Sequence, residues 1–415
     1  MTSLLLLAVS ITVGCASMTK VQPTETASLK KIDQIIENGI QEKTFPGAVV
    51  VVGQPNKLLW AKAYGHKTYD PKSDAVTLDS LFDMASVSKV MGTTSAALVL
   101  MDEGKLSPDD LVSKYIPGFD SNGKEGDTVR DLMTHVSGLP AYESRWAELE
   151  KKRPADETKP DMLIAHYAAL PAKNPPRTKM VYSCLNFQTT ARITENIMHE
   201  PMEQFLKEHV FGPLKMNDTV YTLSPDQKER TMPTLGDKDG NVTLVAKVHD
   251  PLANYYGLDA GHCPGNAGLF STGRDVARFC EMVANGGELG GKRIFSREIL
   301  AQATVSQTPK AVGEERGLGW DIYETPPWVT GLNKTPETAI IGHTGYTGTL
   351  IMIDKKTKTY LVLLTNRVFP DDKSQPEGKP TVTDIRRAVA DTVWRSQPVY
   401  AQWFAEQDAK KAAGN

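Results

Sequence analysis

Strand-like patterns occupy the two ends of this 415-residue chain, and helical patterns fill the middle. Gly47 to Gly53 and Lys57 to Gly65 read as two strands of a hairpin around Gln54-Pro55-Asn56. Strands return late, at Gly317 to Tyr323, Tyr346 to Asp354 and Thr359 to Thr365, the last two joined by Lys355-Lys356-Thr357-Lys358. Between about residues 90 and 300 helical spacing dominates, as in Gln204 to Val210 and Arg274 to Ala284. Residues 28–42 form an amphipathic helix with Leu29, Ile32, Ile36 and Ile40 on one stripe, and Ile385, Val389 and Val393 mark a closing helix. This order predicts an α/β protein: one sheet built from both chain ends, with a helical insertion. Residues 28–85 and 305–415 should make the α/β part, residues 86–304 the mainly helical part, and the cleft between them the site. Residues 143–180, charged and Pro-rich, read as a long loop or lid.

The chain is 40% hydrophobic and 23% charged, enough apolar content for a large core. A net charge of −3 and no basic stripe argue against nucleic acid as a partner. Leu4 to Val13 is a ten-residue apolar run, too short to cross a bilayer and the right length for a signal segment. It ends at Gly14-Cys15-Ala16-Ser17, which resembles a bacterial lipobox with Thr12 where Leu is usual. Residues 1–14 are therefore expected to be a signal peptide and 15–27 a tether. The mature protein would lie in the periplasm or cell envelope, with Cys15 as lipidation site, or would carry an ordinary signal peptide. Of the remaining cysteines, Cys184, Cys263 and Cys280, at most two can pair, and Cys280 reads as a buried helical thiol. There is no CxxC or HExxH spacing and the eight His are scattered, so neither metal nor cofactor is implied.

Four stretches read Ser-x-x-Lys, beginning at Ser17, Ser28, Ser86 and Ser121. Only Ser86-Val87-Ser88-Lys89 lies between apolar runs, Leu81 to Ala85 before it and Val90 to Met101 after it. A helix apolar nearly all round should be buried. Ser86 at its start puts Lys89 one turn on, within reach of the hydroxyl. Desolvation and the helix dipole should push Lys89 toward the neutral amine that can activate a serine.

Such a site needs a second proton-handling group and an oxyanion hole. The candidates are Tyr182, in Met180-Val181-Tyr182-Ser183-Cys184-Leu185-Asn186, and Gly342-His343-Thr344-Gly345-Tyr346, where small residues would let a substrate backbone lie beside a strand. In this order the three elements resemble the serine β-lactamase and penicillin-binding-protein superfamily, with its Ser-x-x-Lys, Tyr-x-Asn and Lys-Thr-Gly motifs. The likeness runs along nearly the whole mature chain. Arg130 to Pro140, Val248-His249-Asp250 and Gly265 to Thr272 look like stretches of its class C-like branch, which includes DD-peptidases, family VIII carboxylesterases and the penicillin-binding protein 4B type.

The resemblance implies two-step acyl transfer. Ser86 would form an acyl-enzyme, Lys89 and Tyr182 would share the proton, and the N–H groups of Ser86 and Tyr346 would bind the oxyanion. Cys184, His343, Thr344, Gly345 and Tyr346 would line the substrate. Two departures bear on that substrate. Cys184 replaces the motif's Asn, whose amide grips a substrate amide, and a thiol is a poor donor and acceptor. His343 replaces the Lys that attracts a substrate carboxylate. Both favour esters, or amides without an obligatory carboxylate, and so a carboxylesterase-like enzyme. A D-alanyl-D-alanine carboxypeptidase or β-lactamase is the alternative, and a slowly deacylating binder of β-lactams or peptidoglycan is the reading of another class. An α/β-hydrolase is excluded, because the chain has no Gly-x-Ser-x-Gly elbow.

Overall fold

The computed structural model describes residues 28–258, 261–323, 340–371 and 378–412. The expected signal segment and Cys15 lie outside them. The strands are β1 (Gly47–Gln54), β2 (Lys57–Gly65), β3 (Leu81–Asp83), β4 (Leu235–Gly236), β5 (Val242–Leu244), β6 (Phe270–Thr272), β7 (Glu288–Leu289), β8 (Lys292–Arg293), β9 (Asp321–Ile322), β10 (Ile340–Thr344), β11 (Leu350–Asp354) and β12 (Tyr360–Thr365). The α-helices are α1 (Lys31–Gln41), α2 (Ser95–Asp102), α3 (Val129–Met133), α4 (Trp146–Glu150), α5 (Lys159–Ala169), α6 (Cys184–Met198), α7 (Met202–Leu206), α8 (Pro225–Arg230), α9 (Pro251–Tyr256), α10 (Gly273–Ala284), α11 (Arg297–Ala303), α12 (Val382–Arg395) and α13 (Ala401–Ala412).

The main sheet has the order β2-β1-β12-β11-β10-β9, with every neighbouring pair antiparallel. The N-terminal hairpin joins the C-terminal strands where β1 pairs with β12, so the two chain ends meet inside the sheet as expected. The central strands are apolar on both faces because both faces are covered. Val50, Val52, Met352 and Leu363 pack with Ile32 and Ile36 of α1 and with Ile385 and Val389 of α12. The alternate residues Val49, Val51, Ile351 and Val362 pack with Val276, Phe279 and Cys280 of α10. Period-two alternation thus divides each strand between two cores. Each fully buried Val, Leu or Ile contributes roughly 1.5–3 kcal/mol.

The structure corrects four expectations. Of the strand read from Tyr346 to Asp354 only Leu350–Asp354 (β11) forms, and a turn over 345–349 joins it to a separate strand before it, β10. Of Gly317 to Tyr323 only Asp321 and Ile322 form strand, because Gly317 and Gly319 lie in a turn where Gly319 takes φ +81°. The supposed loop 143–180 holds α4 and α5, and α5 carries the buried Leu163, Ile164 and Tyr167. Thr158 caps α5 and Pro160 sits in its first turn, signals hidden by the charged surroundings. Finally, α10 belongs by sequence to the helical stretch but packs on the sheet. Cys184, Cys263 and Cys280 are all free thiols, and Cys280 is fully buried in α10 as expected.

Candidate active site

The turn that presents Ser86 is built by its neighbours. Strand β3 ends at Asp83, whose Oδ1 accepts the Ala85 N–H at 2.8 Å and Oδ2 the His249 N–H at 2.7 Å. Burial pushes the Asp83 pKa up to about 6, against the pull of those two N–H donors. Ala85 takes φ +45°, a left-handed conformation that costs a residue with a Cβ on the order of 1–2 kcal/mol. Thr347 Oγ1 donates to Asp83 O at 2.7 Å and Thr349 Oγ1 to Met84 O at 2.9 Å, so the β10–β11 turn clamps the strained peptide. Gly345 permits this approach, since a Cβ there would stand 2.5 Å from Met84 O. The small residues expected to accommodate a substrate backbone are thus used, at Gly345, to dock one turn on another.

After Ser86 the chain enters a wide π-type helical turn, Lys89–Thr94, that runs into α2. Lys89 is fully buried. Its Nζ donates to Ser86 Oγ at 3.1 Å and to Asn266 O at 2.8 Å, and lies 4.0 Å from Cys184 Sγ. Nζ also stands 4.9 Å from the Tyr182 ring centroid and 5.7 Å from that of Phe187. Burial works against the ammonium, but Cys184, Tyr182 and Asp250 more than offset it and the Lys89 pKa is raised. The expectation of a neutral amine is therefore overturned. A carbonyl can only accept, so the bond to Asn266 O is one that an ammonium is suited to make.

Tyr182 precedes α6, which is capped by Ser183. The Ser183 N–H donates to His135 Nδ1 at 3.0 Å, and Ser137 Oγ to Asn186 Oδ1 at 2.7 Å, so Thr134 to Gly138 carry the tyrosine's loop. The Tyr182 hydroxyl is buried, and its approach to Ser86 and Lys89 falls short of hydrogen-bond geometry. Burial raises its pKa against the pull of Lys89. Cys184 points at Lys89 rather than into the helical core. Burial raises its thiol pKa and Lys89 opposes the rise.

A cavity of about 420 Å³ opens from Ser86 and Tyr182 along Thr344, Gly345 and Tyr346 to Arg367, Thr381 and Arg386. Cys184 and His343 are not part of that wall. His343 is 2% exposed and its Nδ1–H donates to Thr344 O at 2.7 Å. Burial lowers its pKa to about 4, so it stays neutral near pH 7. The cations at the cavity are Arg386 and Arg367, neither singled out by the sequence reading. Arg386 is 8% exposed, and its Nη2 donates to Gly345 O and Thr349 O at 2.7 and 2.8 Å. Arg367 covers the Tyr346 ring at 4.4 Å. Asn266 and Asp83 were also missed as site residues, because a main-chain acceptor and a turn brace leave no motif of their own. No group of three or more His, Cys, Asp or Glu suited to a metal occurs among the described residues.

A family model described as Beta-lactamase matches residues 32–379. The chain is 28% identical to a protein of Escherichia coli O157:H7 described as "Putative D-alanyl-D-alanine carboxypeptidase", covering 95% of this chain and 97% of that one. It is 30% identical to a protein of Salmonella typhi with the same description, covering 83% of each. Among solved structures, a penicillin-binding protein homologue from Caulobacter crescentus superposes with a TM-score of 0.70 at 18% identity, over 91% of this chain and all of that one. EstCE1, a hydrolase with promiscuous acyltransferase activity, gives 0.68 at 19% identity, over 88% of this chain and 98% of that one. The protein is thus a hydrolase of the serine β-lactamase and penicillin-binding-protein fold. The chain belongs to the β-lactamase family.

Proposed function

We propose that this is an exported acyl-enzyme hydrolase of the D-alanyl-D-alanine carboxypeptidase type that also cleaves simple esters. The observation that carries the reading is Ser86 Oγ, 3.1 Å from Lys89 Nζ, at the mouth of a cavity that it shares with Tyr182. In the resting site both Lys89 and Tyr182 hold their protons, and one proton must leave the pair before either can act as base. That base then takes the Ser86 proton as Oγ attacks the substrate carbonyl. The oxyanion would face the N–H groups of Ser86 and Tyr346, each worth on the order of 3 kcal/mol in the transition state. The same pair returns the proton to the leaving nitrogen or oxygen as its bond to carbon breaks. Water then attacks the acyl ester and gives up a proton to the pair, which passes it to Ser86 Oγ as the bond from Oγ to carbon breaks and the acid leaves.

The carboxypeptidase reading is preferred over the ester-only one because of Arg386 and Arg367. They supply positive charge to the cavity that Ser86 lines, where the neutral His343 does not. The relatives described as D-alanyl-D-alanine carboxypeptidases support it.

The test is a panel of an aryl ester, a D-Ala-D-Ala peptide and a chromogenic cephalosporin, alongside fluorophosphonate labelling. Turnover of the peptide and the ester is expected, and Ser86→Ala should abolish both turnover and labelling while leaving the fold intact. Labelling without turnover would identify a binder instead. Retention of a tenth of the activity by Ser86→Ala would overturn the assignment, since losing a nucleophile removes several orders of magnitude.

A further inference from the structure

The Tyr182 ring is enclosed by groups from several elements. Lys89 stands 4.9 Å from its centroid, the ring of His135, just beyond α3, lies tilted against it at 4.5 Å, and that of His343 of β10 at 6.0 Å. The guanidinium carbon of Arg316 lies 5.6 Å from the centroid. Ser86 and Cys184 complete the polar surroundings.

Arg316 comes from the chain just before β9, where its backbone bridges to that of Asp321. The side chain is 7% exposed, and Nη1 pairs with Asp321 Oδ1 at 2.5 Å. Its Nε and Nη2 are buried without a hydrogen-bond partner among the described residues. A guanidinium keeps its proton, and among the described residues two of its buried N–H groups are unmet, a cost set against the single pair with Asp321.

The histidines around the ring carry no charge near neutrality. His135 Nδ1 accepts from the Ser183 N–H, which places the ring proton on Nε2. Burial first, and then Arg316, hold the His135 pKa well below its usual value. His343 donates through Nδ1, which leaves Nε2 bare. Burial is the main cause that keeps it neutral, with Asp321 opposing and Arg316 assisting. Of the basic groups against the ring, this leaves Lys89, whose proton takes part in the reaction, and Arg316, whose charge is permanent.

We propose that Arg316 is a positioning residue for Tyr182: its fixed charge holds the ring over Lys89 and favours the phenolate in the Lys89–Tyr182 pair. This rests on the reading of that pair as the proton carrier. Asp321 engages only Nη1 and moderates the charge.

The test measures the pH dependence of kcat/KM for an aryl ester. In Arg316→Met the ascending limb should move to higher pH by about one unit, the low end of what a neighbouring opposite charge does to a pKa. The rate at neutral pH should fall about tenfold, with KM within about twofold. Arg316→Lys, which keeps the charge, should recover most of the loss. In a Tyr182→Phe background, Arg316→Met should change the residual rate less than about twofold. Asp321→Asn, which leaves the arginine uncompensated, should move the limb to lower pH and provides a reading of opposite sign if Arg316→Met does not fold. An unmoved limb in folded Arg316→Met, an equal loss in the Tyr182→Phe background, or an upward shift in Asp321→Asn would overturn the proposal. Failure of the hydrolase reading would show separately, as turnover surviving Ser86→Ala.

Discussion

Burial alone did not distinguish the nucleophile's lysine. Lys124, in the rival stretch Ser121 to Lys124, is 1% exposed, almost as deep as Lys89. The difference is what each ammonium holds. Lys124 Nζ donates to Ser121 O at 3.0 Å and to Leu170 O, both main-chain carbonyls, and so is spent on the fold. Lys89 reaches a side-chain hydroxyl on a cavity wall. The apolar flanks made Ser86 legible, but no spacing rule could place Cys184 Sγ 4.0 Å from the same ammonium. At this scale Lys89→Ala and Tyr182→Phe should each lower kcat by roughly 10²-fold or more, measured with an aryl ester. A silent Tyr182→Phe would remove the tyrosine from the pair. Because both pKa values are raised, the form lacking one proton grows as pH rises, and kcat/KM should climb from neutral into mildly alkaline buffer. Cys184→Asn places an amide beside Lys89, where a regained hydrogen bond is worth about 1 kcal/mol. The ratio of peptide to ester turnover should rise by about fivefold at most, with an unchanged melting temperature. A lower melting temperature with an unmoved ratio would mean the thiol is structural.

Elements were legible where periodicity was strong and unbroken. The hairpin β1–β2 and helix α1 were read with bounds close to those observed, and helix α12 was read from its stripe Ile385, Val389 and Val393, because each buries a continuous stripe or run. The β10–β11 turn was not, since Gly345 and Thr349 are chosen for contacts with Met84, 261 and 265 residues away along the chain, that local pattern cannot carry. Helix α3 shows a related cost of tertiary context. Asp127, next to its capping residue Thr128, is 1% exposed and has neither carboxyl oxygen hydrogen-bonded among the described residues. Burial, then Asp131, pushes its pKa up to about 8. The folded state therefore holds this proton longer than the unfolded chain. Stability falls as pH rises from about 4 through about 8, and the full loss is felt above that window. Asp127→Asn removes the titration. It should raise the melting temperature at about pH 8.5 by a few degrees, and the gain should shrink toward about pH 5, followed by calorimetry. An equal gain at both values would show that the charge is not what costs.

On the scale of the whole molecule, strands at both ends and helices between gave the architecture, because a sheet covered on both faces leaves long apolar runs in its central strands. The packing of α10 on that sheet was hidden, since an amphipathic helix does not name the surface it covers. Export is the other property of the whole chain, and we propose it from Leu4 to Val13 and from Cys15. Mature protein should fractionate with the envelope. Cys15→Ser should lose detergent-phase partitioning, because a lipid anchor adds apolar burial that the protein alone lacks. Equal partitioning of the two forms would point to a plain signal peptide.

The clamp on the serine turn has a consequence for timing. Thr347 and Thr349 hold Asp83 and Met84 from 264 and 265 residues downstream, on the turn between β10 and β11, in the sheet where β12 pairs with both β11 and the first strand of the chain. A chain interrupted between Tyr182 and that turn would contain Ser86, Lys89 and Tyr182 and still lack what fixes the nucleophile's backbone. Reactivity toward an acyl probe therefore marks a chain that has been made past that turn and closed on itself, and products that stop short of it should be chemically quiet.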